Sequence, residues 1–177
     1  FFYCHMSEGA KWLDSGTDSD VYKFGEDMVV KKYRVEPVNS YYPFLNKATL
    51  QSYFDVTNNV YRAALENPFN MEFPFSGKRY QVRINPIFKM GDCERCGGYE
   101  SVSPFVAGPR LDQLKYFCGP REMHIALVNL SEKIGTFANY QGISVIPKNI
   151  KQVDDSSFVI TDLCSDIRIL RPKYFND

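Results

Sequence analysis

An α+β fold is predicted for this chain, and three observations predict it. Short runs of strand-forming residues flank the turn signals Gly25-Glu26-Asp27 and Ser76-Gly77. Two long stretches, about Lys47 to Glu66 and Pro120 to Tyr140, repeat apolar residues at helical spacing. At 177 residues, 44% of them hydrophobic and 15% aromatic, the chain can also bury a sizeable interior without a disulfide or metal staple.

Taken in order, strands are expected near Lys11 to Leu13, Asp20 to Phe24 and Met28 to Arg34. Tyr33 to Lys47, with two prolines and Asn39-Ser40-Tyr41-Tyr42, reads as a mobile connection. In the first helix Leu50, Tyr53, Phe54, Thr57, Val60, Tyr61 and Ala64 recur on the helical period. Strands follow near Arg79 to Ile84, Pro86 to Met90 and Tyr99 to Phe105, and Pro86 makes its strand start afresh or lie at an edge. Pro120 suits the first position of the second helix and Gly142 lies just past its end. Met123, Leu127, Leu130, Ile134 and Phe137 then share one face, expected to be core, and His124 reads as a partly buried structural histidine. Asp166 to Pro172 reads as a closing strand.

The chemistry is concentrated in a few segments. Leu13-Asp14-Ser15-Gly16-Thr17-Asp18-Ser19-Asp20-Val21-Tyr22-Lys23 is a loop of small residues running into a strand, and the next strand carries Lys31. In that layout the loop can lie over a nucleotide's phosphates while the lysine reaches them from the sheet. Later come Tyr99 to Val106 followed by Ala107-Gly108-Pro109-Arg110-Leu111, then Gly142-Ile143-Ser144-Val145-Ile146-Pro147-Lys148-Asn149-Ile150, then Val159-Ile160-Thr161-Asp162-Leu163-Cys164. These four segments in this order resemble the protein-kinase superfamily, and specifically a small, truncated or pseudokinase-like member.

The resemblance implies a fold and a site. Residues 1–106 would form a kinase-like upper lobe, an antiparallel sheet with one helix, and residues 107–177 a minimal partial lower lobe of one long helix and a catalytic-loop hairpin, the whole a single compact unit. Gly16, Val21, Lys31, Pro104 and Val106 would bind ATP, with Pro104 offering a carbonyl and Val106 an N–H to the base, and small Ser103 keeping the cleft open. Asn149 and Asp162 would hold magnesium. Ser144 falls where the base aspartate should stand, and a serine cannot accept the substrate proton near neutral pH. Leu163-Cys164 replaces Phe-Gly, and Asp14 and Ser19 replace two loop glycines, adding Cβ atoms and, with Asp18 and Asp20, negative charge where phosphates would lie. The glutamate that should pair with Lys31 would fall at Asn58 or Asn59, with Asp55 as an alternative partner one turn away. After Asp162 the sequence holds no activation segment and none of the further helices that hold a protein substrate in a complete kinase.

Each of these residues also has a plain structural explanation. Lys31 has Lys32 beside it, and one of two neighbours on a strand normally faces solvent. Asp162 can cap the turn before Ser165-Asp166, and Asn149 can close its loop through its side chain. Of the five cysteines, Cys93 and Cys96 form Cys-x-x-Cys-Gly-Gly, half a zinc knuckle; only Cys4, His5, Cys118, His124 and Cys164 could complete it, and a tight hairpin turn is the expected role.

Charge narrows the partners. Twenty-one basic residues balance 21 acidic ones, so nothing drives the chain to nucleic acid or to an anionic membrane. No apolar run reaches the roughly 20 residues of a membrane-spanning helix, and Phe1 to His5 lacks the length and basic start of a signal peptide, so a cytoplasmic protein is expected. Fourteen Phe and 12 Tyr make a protein partner or a homodimer plausible. The expected function is that of a nucleotide-binding pseudokinase acting as a switch or scaffold with little or no phosphoryl transfer. The alternatives are an active small ATP-dependent phosphotransferase, with Asp166 or a metal-activated water as base, and a non-nucleotide interaction module.

Overall fold

The computed structural model describes residues 10–16, 18–35, 45–93, 98–114 and 117–173. Its strands are β1 (Ala10–Ser15), β2 (Ser19–Phe24), β3 (Met28–Tyr33), β4 (Phe69–Glu72), β5 (Arg79–Ile84), β6 (Lys89–Asp92), β7 (Tyr99–Pro104), β8 (Tyr140–Gln141), β9 (Ile150–Asp154), β10 (Ser157–Ile160) and β11 (Arg171–Pro172). Two long helices, α1 (Lys47–Glu66) and α2 (Pro120–Ala138), complete an α+β architecture whose strand pairings are mostly antiparallel. The middle of the connection between β3 and α1, expected to be mobile, lies outside the described residues. Among the described residues no helix is long and apolar enough to cross a membrane.

The first sheet has the order β1-β2-β3-β7-β6 and is antiparallel throughout. In β3 the period of two puts Val30 fully inside and sends Lys31 and Lys32 to opposite faces. Lys32 then meets Glu100 of β7 at 3.9 Å, so the adjacent lysines have separate partners.

The second sheet has the order β4-β5-β10-β9. Along β5, Tyr80, Val82 and Ile84 are buried and Arg79, Gln81 and Arg83 exposed. β10 lies parallel to β5, with Phe158 opposite Val82 and Ile160 opposite Ile84, all four side chains buried. Two of this sheet's strands therefore come from before residue 106 and two from after it. β4 was not expected: Asn67-Pro68-Phe69 reads as a connection, and only Met71 of its four residues is buried.

Helix α1 begins where predicted because Asn46 caps it, its side chain accepting from Thr49 N at 2.8 Å. It lies against β5 and meets α2, which lies against β4. Leu50, Tyr53, Val56 and Val60 of α1 join Ala126, Leu127, Leu130 and Ile134 of α2 in one core. Tyr80 stacks on Phe158 at 4.3 Å between centroids, and Phe73 meets Tyr80 edge-on at 5.7 Å.

Some expectations need correction. Phe137 is not core but 55% exposed, touching Phe69 edge-on at the rim; the buried stripe runs instead through Ala126, with only a methyl, and Gly135, with no side chain, which lets the helix approach its neighbours. The strand expected from Pro86 starts only at Lys89. Pro86 has no N–H, and Ile87 N–H is taken by Asn58 Oδ1 at 3.0 Å, so neither can enter the ladder. The closing strand from Asp166 is a 3-10 turn at Ile167–Ile169 followed by the two residues of β11, paired with β8. Gly142 accounts for that close pairing: its φ is +91°, and a Cβ there would lie 2.5 Å from Ile169 O.

Candidate functional site

A cleft of about 610 Å³ opens between the first sheet and the segment 146–167. That is the size range of small-ligand sites. Leu13, Val21, Val29 and Ile146 supply apolar walls. All seven residues expected to bind nucleotide or metal line it: Gly16, Val21, Lys31, Pro104, Val106, Asn149 and Asp162.

At its inner end Lys31 Nζ lies 3.2 Å from Asp162 Oδ2, joining positions 131 residues apart. Both side chains are largely buried, 16% and 20% exposed. Burial pulls the Lys31 ammonium down most strongly, but the charge and hydrogen bond of Asp162, together with Tyr33 and Cys164, outweigh it and leave Lys31 above its ordinary range. The lysine is therefore a fixed cation.

The other carboxylate oxygen has a partner that sequence reasoning missed. Tyr53, on the inner face of α1, donates its hydroxyl to Asp162 Oδ1 at 2.5 Å. Burial, and then the Asp162 charge, push the Tyr53 phenol well above its ordinary value, so it stays protonated and keeps donating. None of the three residues expected as the helix partner of Lys31 takes that place. Asn58 instead clamps the approach to β6, donating to Ile87 O at 2.9 Å and accepting from Ile87 N. Asn59 accepts from Arg62, and Asp55 is exposed and accepts from Gln51 at 3.1 Å. A tyrosine at helical spacing among apolar residues carries no signal that separates it from ordinary core.

Asp162 also accepts from Cys164 N at 3.1 Å, so its turn-capping role is real as well. Asn149 does not close its loop through its side chain, which has no hydrogen bond among the described residues. Its backbone does so, with Asn149 O accepting from Thr161 N at 2.8 Å.

The acidic loop between β1 and β2 is largely neutralised. Asp20 pairs with Arg34 at 2.9 Å, and Arg34 also donates to Gly16 O. Asp18 accepts from Ile167 N at 3.2 Å and faces Arg168 Nε at 3.8 Å. Burial raises the Asp18 carboxyl, and the Ile167 N–H pulls against that rise. The loop is thus fastened to the 3-10 turn at 167–169, and Asp18 and Asp20 each face an arginine, which offsets their charge, although Asp14 and Asp18 still line the cleft.

Ser144 stands outside the cleft. It lines a separate groove along α2 and accepts a hydrogen bond from Ser165 Oγ at 3.1 Å. Asp166, the alternative base, is clasped by Arg168 at 2.8 and 2.9 Å, which holds its carboxyl below the usual carboxylate range.

The far end of the cleft is the segment after β7. Phe105 N donates to Asp27 O at 2.7 Å, and Lys23 and Lys151 sit over its ring at 4.2 and 4.7 Å. Gly108, at φ +128°, passes so close to β9 that a Cβ would lie 2.2 Å from Gln152 O. No side chain fits that crossing.

The donor set suits magnesium only in part. Asp162 and Asn149 offer hard oxygens in one cleft, but among the described residues no group of three or more His, Cys, Asp or Glu could hold a metal ion. Magnesium is commonly held by one or two carboxylates together with substrate phosphates, so these residues would hold it jointly with a bound phosphate chain. Cys93 is buried and disulfide-bonded, and Cys96 lies outside the described residues. As a disulfide its sulfur is not a thiolate ligand for zinc.

No protein-family model matches the chain, and no curated protein matches it. Among solved structures it is similar to WbdD in a co-crystal with a kinase inhibitor, at a TM-score of 0.44 and 11% identity over 93% of this chain and 34% of that one. It is also similar to a second WbdD structure, at a TM-score of 0.45 and 12% identity over 92% of this chain and 33% of that one. The chain spans about a third of the length of the WbdD chains it matches.

Proposed function

We propose that this is a kinase-like protein whose cleft binds a nucleoside triphosphate with little or no phosphoryl transfer, so that binding itself is the output, as in a switch or scaffold. The observation that carries the reading is the Lys31–Asp162 pair at 3.2 Å at the inner end of a cleft that also gathers Gly16, Val21, Pro104, Val106 and Asn149. Lys31 would take phosphate oxygens, and Asn149 and Asp162 would share a magnesium ion with them. Leu13, Val21, Val29 and Ile146 would sandwich the base.

The same geometry argues against efficient transfer. Ser144 supplies no carboxylate and lies outside the cleft. Asp166 is depressed by Arg168, and a carboxylate of lowered pKa is a weaker base. A bound phosphate must also compete with Asp162 for Lys31, so binding would loosen a contact that ties β3 to the segment after β10.

Thermal unfolding with and without magnesium and nucleotide tests the reading, alongside Lys31→Ala and Asp162→Ala. A ligand at ~100 times its dissociation constant stabilises the native state by about 2.7 kcal/mol, a shift of several degrees in a domain of this size. The expected result is a magnesium-dependent shift that both substitutions remove, with no phosphate released above background. A wild-type protein that does not shift at millimolar nucleotide would overturn the proposal.

A further inference from the structure

The base-binding end of the cleft is furnished with hydrogen-bond donors. Pro104 O already accepts from Asn85 Nδ2 at 2.9 Å. Val106 O accepts from Lys151 Nζ at 2.5 Å. Val106 N–H has no hydrogen-bond partner among the described residues, and an ammonium with one of its three N–H bonds engaged keeps two. Each of the two carbonyls that a base's amino group would seek already accepts one hydrogen bond and has a single lone pair left, while the Val106 N–H and two Lys151 N–H bonds, on residues lining the same cleft, carry no hydrogen bond among the described residues.

Lys151 is the unusual member of this set. It extends from β9 to the backbone just beyond β7, partly buried, with its ammonium over the Phe105 ring. Burial, then Arg110 and Lys23, hold it below the ordinary lysine range. Arg110 is itself clasped by Asp112 at 2.9 and 3.1 Å, and Lys23 lies 3.4 Å from Glu26, so no carboxylate is left over for Lys151 among these neighbours. An uncompensated cation with spare donors seeks a carbonyl oxygen and disfavours an amino group pressed against it.

We propose that Lys151 sets the base specificity of the cleft, favouring a 6-oxopurine nucleotide over an adenine nucleotide. The inference rests on the nucleotide reading given above. A 6-oxopurine presents its C6 carbonyl to Lys151 Nζ and the Val106 N–H, whereas adenine presents an amino group at the same edge, toward carbonyls that are already accepting.

The test is titration calorimetry of the magnesium complexes of inosine triphosphate and ATP, which differ only at that edge of the base, with wild type, Lys151→Met and Lys31→Ala. For wild type the expected dissociation constant for inosine triphosphate is at least about tenfold lower than for ATP, the effect of one hydrogen bond to a charged donor. In Lys151→Met the ratio should fall to within about threefold of unity, while Lys31→Ala should weaken both nucleotides alike. ATP binding as tightly as inosine triphosphate in wild type would overturn the inference and leave the nucleotide reading standing. A preference that survives in Lys151→Met would overturn the role of that residue. Neither nucleotide binding at millimolar concentration would overturn both readings. The wild-type ratio needs no variant, so a substitution that fails to fold leaves the decisive comparison intact.

Discussion

Replacing Tyr53 with phenylalanine removes one oxygen from a side chain only 2% exposed and leaves the ring, so packing in α1 is nearly unchanged. What is lost is a 2.5 Å hydrogen bond to an ionised carboxylate oxygen. A hydrogen bond to a charged group contributes about 1.5–3 kcal/mol. Asp162 keeps Lys31 at 3.2 Å and Cys164 N at 3.1 Å, so the carboxylate is not stranded and the lower half of that range applies. We therefore expect a loss of about 2 kcal/mol, or roughly 4–8 °C in the midpoint for a domain of this length. Urea denaturation followed by far-ultraviolet circular dichroism measures it, and the same substitution in an Asp162→Asn background isolates the charge-assisted part. There the cost should drop by about 1 kcal/mol, the coupling expected for directly bonded side chains. A loss below about 0.5 kcal/mol in wild type, or an equal loss in both backgrounds, would refute the argument that Tyr53 holds the Asp162 charge.

Three further outcomes follow from the same geometry. Gly108→Ala should cost at least about 2 kcal/mol in urea denaturation, since the position combines positive φ with a backbone approach that no side chain fits. Leu130→Ala should cost about 2–5 kcal/mol, whereas Phe137→Ala should cost well under half as much, because Leu130 is 1% exposed and Phe137 55%. Glu122 accepts from Phe75 N and Ser76 N at 3.1 and 2.9 Å, and these bonds hold its carboxyl below the usual range. Its contribution to stability is then present above the ordinary glutamate pKa and lost as pH falls through the lowered one. The gap between wild type and Glu122→Gln should accordingly be full at pH 7 and close in acid, and a gap constant with pH would contradict the assignment.

How far the sequence reached can be judged element by element. The extent of α1 and the start of α2 were legible because both carry apolar residues at helical spacing, with Pro120 opening the second; the Asn46 cap of α1 was seen only in the structure. The alternation of Arg79 to Ile84 identified a strand but not its partner. Its parallel pairing with Ser157–Ile160 is non-local, and nothing near either segment encodes it. Lys31 and Asp162 could be picked out through the order of the segments around them, although 131 residues separate them. Tyr53 could not, since a buried tyrosine on an apolar helix face reads as core until the structure shows where its hydroxyl points. Lys151 was missed because its partner is a backbone carbonyl 45 residues away, a contact that no local pattern signals.

The central claim is that the cleft ending at Lys31 and Asp162 is a nucleotide site, and its most direct test is backbone amide chemical shifts during titration with a magnesium nucleotide. The account expects Gly16, Lys31, Val106 and Asp162, which are scattered along the chain and meet only in this cleft, to shift together and saturate with one dissociation constant. Shifts confined to the groove along α2, around Ser131, Ser144 and Val145, or no saturable shift at millimolar nucleotide, would contradict it.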